Sequence, residues 1–94
     1  TTMITIMIID DDKPFRWITK KVLTKAHFNV IEAASKSEAL TLLKEAEKPQ
    51  LILLDQNLKD GSGFDLLPYI QTKTEVPVIF ITGHSEPAFA ACLR

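Results

Sequence analysis

Cysteine, glycine and net charge are all scarce in this chain of 94 residues. The single cysteine, Cys92, excludes an internal disulfide and fits a reducing compartment. A net charge of -1 at pH 7 argues against a surface for nucleic acid. The opening apolar run is too short to span a membrane, and it lacks the basic flank of a signal peptide. We therefore expect a cytoplasmic protein that binds neither nucleic acid nor a membrane.

Several motifs of common enzymes are missing as well. The chain has no G-x-S-x-G nucleophile elbow, no Gly-Lys-Ser phosphate loop and no dinucleotide fingerprint. Hydrophobic residues nevertheless make up 46% of the sequence, which is enough for a packed core. The length suits one domain over residues 1–94, without internal repeats or low-complexity segments.

Strand-like and helix-like segments alternate along the sequence. Apolar, β-branched runs predict parallel strands covered on both faces, at residues 3–9, 28–33, 51–55 and 76–82. The first helix has Asp12 as its cap and Pro14 in its first turn, and the second has the capping-box pair Ser35 and Glu38. A last helical stretch covers residues 85–93.

Apolar residues at helical spacing define the face that each helix is expected to bury. They are Phe15, Ile18, Val22 and Ala26 in the first helix, Ala39, Leu42, Leu43 and Ala46 in the second, and Phe64, Leu67 and Ile70 in the third, with Leu66 on its flank. The βαβαβαβα order, with right-handed crossovers, predicts a doubly wound parallel α/β sheet with helices on both faces. The fourth strand would be an unprotected edge. We therefore expect a last strand and helix to be missing from this chain, and a homodimer is one way to cover the edge.

Polar side chains follow three of the predicted strands at the point where each strand ends. Asp10 and Asp11 follow the first strand, Asp55 ends the third and Thr82 ends the fourth. Ligands bind at this edge of open α/β sheets, and like charges there repel unless a cation offsets them. Mg²⁺ takes carboxylate and carbonyl oxygens and leaves positions for phosphate. A carboxylate beside such a metal can form an aspartyl phosphate, and the Thr82 hydroxyl could contact the same phosphoryl group.

Three segments resemble the receiver domain of two-component response regulators. Residues 8–12 (IIDDD), together with Arg16, are similar to the acid-pair motif of that family. Residues 53–63 (LLDQNLKDGSG) resemble its phosphoacceptor loop, and residues 76–83 (VPVIFITG) resemble the strand that carries its switch threonine. The resemblance covers the whole chain and implies a flavodoxin-like fold with strand order 2-1-3-4-5.

The resemblance also implies a role for each polar residue at the sheet edge. Asp55 would be phosphorylated by a histidine kinase or a histidine phosphotransfer protein. Asp10, Asp11, Asp55 and the backbone carbonyl of Asn57 would hold Mg²⁺. Thr82 would bond the phosphoryl group and bias a surface that an output domain or another partner reads. Because this chemistry is self-phosphorylation and self-dephosphorylation, we do not expect an enzyme in the ordinary sense.

Two departures from the family pattern leave an alternative open. Leu58 and Lys59 occupy the stretch where the family usually has a proline. The chain also ends before the family's fifth strand, which begins with a lysine that contacts the phosphoryl group. Lys59 is a candidate substitute for that lysine, although a solvated loop lysine is the ordinary outcome. The alternative function is a pseudo-receiver, a module that binds a partner without being phosphorylated.

Three weaker hypotheses concern the same edge of the sheet and the first helix. A phosphatase of the haloacid-dehalogenase kind also uses a strand-end aspartate, but residues 55–59 lack the second acid that it needs. Trp17 is a candidate contact for a phosphotransfer partner, with packing along its own helix as the alternative. His84 is a candidate for tuning the lifetime of the phosphorylated state, with an exposed loop histidine as the alternative.

Overall fold

The central feature of the fold is a parallel sheet. The computed structural model describes residues 3–45 and 48–81. In chain order the elements are β1 (Thr5–Ile9), α1 (Lys13–Lys25), β2 (Asn29–Ala33), α2 (Lys36–Lys44), β3 (Leu51–Asp55), β4 (Asn57–Leu58), β5 (Gly61–Ser62), a 3-10 helix (Gly63–Leu66), α3 (Leu67–Lys73) and β6 (Val78–Ile81). The strands β2, β1, β3 and β6 form a 4-stranded parallel sheet in that order. The short strands β4 and β5 form a separate antiparallel hairpin.

This sheet order confirms the predicted doubly wound arrangement, with β6 in the place of the expected fourth strand. On one face Met7 and Ile9 of β1 belong to a core cluster that includes residues of α2 and α3. Side chains alternate along a strand, so Ile6 and Ile8 point to the opposite face. They are buried as well, at 3% and 0% exposed. Burial on both faces is what the continuous apolar run of β1 predicted.

The predicted helix starts are also confirmed. The Asp12 side chain caps α1 by accepting a hydrogen bond from the N–H of Phe15 at 3.2 Å. The Ser35 hydroxyl caps α2 by accepting one from the N–H of Glu38 at 3.1 Å. The Glu38 carboxylate accepts from the N–H of Ala34 at 2.8 Å, one residue before the position that a capping box uses.

The predicted buried stripe of α1 is wrong. No residue of α1 is buried, and Ile18 and Val22 are 57% and 61% exposed. Among the described elements, the helix packs mainly against β2. Of the other two residues of the predicted stripe, Phe15 is half-buried and Ala26 at the C-cap is exposed. Leu23, which was not part of that stripe, is half-buried as well.

The third helix differs from its prediction as well. The 3-10 helix before α3 winds more tightly than an α-helix, which rotates the apolar face. Leu66, expected on the flank, is therefore buried together with Ile70, at 1% and 0% exposed. Phe64 is 46% exposed, and its ring lies against that of Phe80 with the centroids 4.8 Å apart. Pro68 lies in the first turn of α3, where a proline does not remove a helical hydrogen bond.

Strand starts are the least accurately predicted boundaries. Three strands begin one or two residues later than expected, at Thr5, Asn29 and Val78. Thr82 and the predicted last helix over residues 85–93 lie outside the described residues. Each of the described helices is too short or too polar to cross a membrane.

Candidate functional site

The ends of β1 and β3 bring three carboxylates together. Ile9 pairs with Leu54 in the sheet register, so the residues that follow them, Asp10 and Asp55, are neighbours at the carboxyl edge. One oxygen each of Asp10, Asp11 and Asp55 lie within 4.8 Å of one another. Asp10 and Asp55 are buried, at 0% and 5% exposed, whereas Asp11 is exposed. Solvent therefore reaches the cluster from the Asp11 side.

Two of these carboxylates are oriented by the same kind of local turn. Asp10 Oδ1 accepts a hydrogen bond from the N–H of Asp12 at 2.8 Å. Asp55 Oδ1 accepts one from the N–H of Asn57 at 3.2 Å. In each case the aspartate bonds the backbone two residues further on, as in an Asx turn. These bonds set the direction of both side chains independently of any ligand.

The donor set fits a hard divalent cation. Carboxylates this close repel one another, and a divalent cation between them would offset that repulsion. Mg²⁺ prefers oxygen ligands in octahedral geometry, usually with one or two carboxylates, several waters and substrate phosphates. Asp10, Asp11 and Asp55 offer such oxygens at one point of the surface. The cluster is therefore chemically suited to Mg²⁺.

Arg16 holds the backbone of the acidic loop. Its Nη1 donates a hydrogen bond to the backbone carbonyl of Asp10 at 2.7 Å, and its Nε donates to Glu32 at 3.3 Å. Lys20 also pairs with Glu32, at 3.4 Å. The N–H of Asp10 donates to the carbonyl of Ala33 at 3.0 Å. Both backbone polar groups of Asp10 are thus hydrogen-bonded. The family resemblance had marked Arg16 as part of the acid-pair motif, and the structure shows that its side chain binds the backbone of Asp10.

Gly63 closes the loop that follows β3 at a point where no side chain fits. A Cβ on Gly63 would lie 2.0 Å from the backbone oxygen of Asp55. Its N–H donates to the carbonyl of Gln56 at 2.8 Å. Gly61 has a φ of 138°, a conformation that glycine adopts without a steric penalty. Each glycine of this loop therefore has its own physical reason, a close approach at Gly63 and a positive φ at Gly61.

The comparisons with known proteins agree with this geometry. A family model described as the response regulator receiver domain matches residues 6–93. The chain belongs to that family. Receiver domains are signalling domains of two-component systems and not enzymes in the ordinary sense.

Two bacterial relatives illustrate the similarity of the receiver domain to curated proteins. The transcriptional regulatory protein YvrH of Bacillus subtilis (strain 168) is 37% identical over 84 residues, which cover 88% of this chain and 35% of the relative. The transcriptional regulatory protein KdpE of Staphylococcus aureus (strain NCTC 8325 / PS 47) is 33% identical over 81 residues, which cover 86% and 35%. The chain thus spans about a third of the length of each of these relatives.

Solved structures give the same fold. A CheY-like response regulator receiver domain protein from Methanospirillum hungatei JF-1 is 28% identical with a TM-score of 0.80, covering 96% of this chain and 72% of that chain. A response regulator protein from Burkholderia pseudomallei is 29% identical with a TM-score of 0.78, covering 94% and 52%. The latter contains a phosphorylated aspartic acid, a calcium ion and citrate.

The turn of the β4–β5 hairpin carries a contact that sequence reasoning missed. Both carboxylate oxygens of Asp60 accept backbone hydrogen bonds at the start of α2, from Lys36 at 2.9 Å and from Ser37 at 3.1 Å. The bond from the Lys36 N–H lowers the pKa of Asp60 below its ordinary value. The Lys36 ammonium also pairs with Asp65 at 2.8 Å. No local pattern reveals this cap, because the partners are more than twenty residues apart.

The other candidate residues of the receiver domain are exposed or lie outside the described part of the chain. Asn57 is exposed at the start of the hairpin, and Lys59 is exposed in its turn. Trp17 is 61% exposed on α1, with the Lys21 ammonium 4.9 Å from the centre of its ring. Thr82 and His84 fall outside the described residues.

Proposed function

We propose that this receiver domain accepts a phosphoryl group on Asp55 from a phosphohistidine donor in a Mg²⁺-dependent reaction. The observation that carries the proposal is the convergence of Asp10, Asp11 and Asp55, with their oxygens within 4.8 Å at the carboxyl edge of the sheet. Parallel α/β folds bind ligands at this edge. The donor is a histidine kinase or a histidine phosphotransfer protein, as two-component signalling requires.

Asp55 is the phosphoacceptor in this proposal. A carboxylate oxygen of Asp55 attacks phosphorus, and the bond between phosphorus and the donor imidazole nitrogen breaks. The electron pair of that bond returns to the imidazole, which takes up a proton. The N–H of Asn57 already holds Asp55 Oδ1 at 3.2 Å, so one oxygen of the nucleophile has a fixed direction. Such pre-orientation lowers the entropy cost of reaching the reactive geometry.

Asp10, Asp11 and Asp55, with the backbone carbonyl of Asn57, are the groups that would hold Mg²⁺. When bound, the ion offsets negative charge on the transferring phosphoryl group. The Burkholderia pseudomallei relative supports this reading, since it holds a phosphorylated aspartic acid and a calcium ion. Thr82 is proposed to contact the phosphoryl group and to bias the surface that an output domain reads.

The experiment that tests the function is intact-mass spectrometry after incubation with acetyl phosphate and Mg²⁺. The wild-type chain is expected to gain the mass of one phosphoryl group, and Asp55→Asn is expected to gain none. Omitting Mg²⁺ should suppress the gain in the wild type. An unmodified wild type would contradict the proposal and favour the pseudo-receiver alternative, in which the domain binds a partner without phosphorylation.

A further inference from the structure

Asp60 connects the hairpin beside the carboxylates to α2. Its two oxygens accept the N–H groups of Lys36 and Ser37 at 2.9 and 3.1 Å. The start of α2 is therefore capped twice, once by the adjacent Ser35 and once by a residue from a distant loop. An ionised carboxylate suits this place, because the first N–H groups of a helix lack intrahelical partners and carry the positive end of its dipole.

We propose that Asp60 is a positioning residue for the metal site. By holding the β4–β5 hairpin onto α2, it keeps Asn57 where its N–H orients Asp55 and its carbonyl can reach Mg²⁺. This inference rests on the proposed function, since it assumes that Mg²⁺ binds at the three carboxylates. If the inference is right, the first turn of α2 and the Mg²⁺ site are coupled through Asp60. Mg²⁺ binding should then make that turn more ordered, and loss of Asp60 should lower the affinity for Mg²⁺.

The path from Asp60 to Asp55 consists of direct contacts. Across the hairpin, Asn57 pairs with Ser62 and Leu58 pairs with Gly61. The N–H of Asn57 then reaches Asp55 Oδ1 at 3.2 Å. Each arm of the hairpin has only 2 residues, and a hairpin of that size is not stable by itself. Its position therefore depends on what anchors it.

The hairpin is anchored at its base and at its tip. At the base, the N–H of Gly63 donates to the carbonyl of Gln56 at 2.8 Å. Leu58, in the pair next to the turn, is buried in the core at 7% exposed. At the tip, Asp60 supplies two hydrogen bonds to α2. Lys36 covers the same turn, since its ammonium lies 2.7 Å from the point that a Cβ on Gly61 would occupy. Loss of Asp60 would leave the tip with less restraint and the base intact.

Asp60→Ala tests the inference, with Ser35→Ala as the matched control. Both variants remove a cap from the same end of α2, but only Asp60 is part of the hairpin. Mg²⁺ affinity is measured by calorimetric titration at a temperature at which every variant is folded. We expect Asp60→Ala to weaken Mg²⁺ binding about threefold to fivefold, because a smaller fraction of molecules has the competent hairpin. Ser35→Ala is expected to keep the wild-type affinity.

Amide hydrogen exchange at the start of α2 supplies a second measurement. If Asp60 only capped the helix, Mg²⁺ would not change the exchange rates there. In the wild type, saturating Mg²⁺ should slow exchange at the amides of Lys36 and Ser37. In Asp60→Ala this response to Mg²⁺ should disappear, and in Ser35→Ala it should persist. Asp60→Asn, which keeps one acceptor oxygen, should fall between the wild type and Asp60→Ala in both measurements.

The outcomes separate the inference from the function on which it rests. If the wild type does not bind Mg²⁺, the proposed function fails. If the wild type binds Mg²⁺ and Asp60→Ala binds it equally well, the function stands and the positioning role of Asp60 is wrong. Equal weakening by Asp60→Ala and Ser35→Ala would also overturn the inference, since it would trace the effect to helix stability alone.

Discussion

The guanidinium of Arg16 donates a hydrogen bond to the backbone carbonyl of Asp10 at 2.7 Å. This bond joins the first turns of α1 to the end of β1, directly behind the acidic cluster. The Arg16 side chain is 13% exposed, so water substitutes for it poorly. The bond is therefore expected to stabilise the fold as well as the loop that carries Asp10 and Asp11.

Arg16→Ala should lower the free energy of unfolding by about 2 kcal/mol, because it removes a mostly buried hydrogen bond from a charged donor. Lys20→Ala is the matched control. Lys20 pairs with the same Glu32 but is 51% exposed, so its loss should change stability by less than about 0.5 kcal/mol. Urea unfolding of both variants checks the difference. Equal losses would show that the ion pair with Glu32, and not the bond to Asp10, is what matters.

Gly63→Ala should damage both the fold and the site. The added methyl would lie 2.0 Å from the Asp55 backbone oxygen, so the end of β3 must shift. We expect a loss of about 2–3 kcal/mol in unfolding free energy, and weaker Mg²⁺ binding because Asp55 moves with its backbone. Urea unfolding and calorimetric titration measure the two effects.

Gly61→Ala gives the comparison for that prediction. Its added methyl meets the flexible end of Lys36, and its φ of 138° is strained for alanine. The expected loss of stability is about 1–2 kcal/mol. The strain lies at the tip of the hairpin, so the effect on Mg²⁺ affinity should be smaller than for Gly63→Ala. If Gly61→Ala weakened Mg²⁺ binding more than Gly63→Ala, the close approach to Asp55 would not be the reason that residue 63 is a glycine.

Local patterns predicted the sheet and the acidic cluster, because both depend on short-range information. The apolar run of β1 and the strand-end position of Asp55 identify elements whose parallel pairing brings their ends together. The face of α3 was not predicted, because the 3-10 turn over Gly63–Leu66 departs from the α-helical spacing on which the prediction was based. The exposure of Ile18 likewise depends on what surrounds α1 in space.

Contacts between distant residues are the part of the site that sequence reasoning missed. Asp60 follows Lys59 in what reads as a polar loop, and nothing in its neighbours indicates that it caps α2. Arg16 shows the same limit, since its bond to the Asp10 carbonyl depends on how α1 lies against the strand end. Family resemblance can mark such a residue as part of a motif without giving its physical role.

The cap by Asp60 should make stability depend on pH in the acid range. The pKa of Asp60 is lowered from 3.8, chiefly by the hydrogen bond from the Lys36 N–H. A carboxyl whose pKa is depressed by folding stabilises the protein fully above its unfolded pKa and loses that contribution as pH falls through the folded value. The gap in urea midpoint between wild type and Asp60→Asn should therefore be constant near neutral pH and shrink below 3.8.

Carboxyl chemical shifts measured by NMR provide the direct check on that prediction. Asp60 should titrate below the ordinary value of 3.8. A gap between wild type and Asp60→Asn that widens on acidification would contradict the sign of the effect.

The exposed member of the acidic cluster should have opposite effects with and without metal. In the absence of Mg²⁺, Asp11→Asn removes one of three crowded charges and should raise the melting temperature slightly. A ligand at ten times its Kd stabilises the folded state by about 1.4 kcal/mol. With Mg²⁺ at ten times the wild-type Kd, Asp11→Asn should lose most of this stabilisation because it binds Mg²⁺ more weakly. Asp12→Asn controls for charge, since Asp12 caps α1 and asparagine caps equally well. Thermal unfolding with and without Mg²⁺ tests this prediction. Metal binding by Asp11 would be ruled out if Mg²⁺ did not raise the melting temperature of the wild type. It would also be ruled out if Mg²⁺ raised that of Asp11→Asn by as much as that of the wild type.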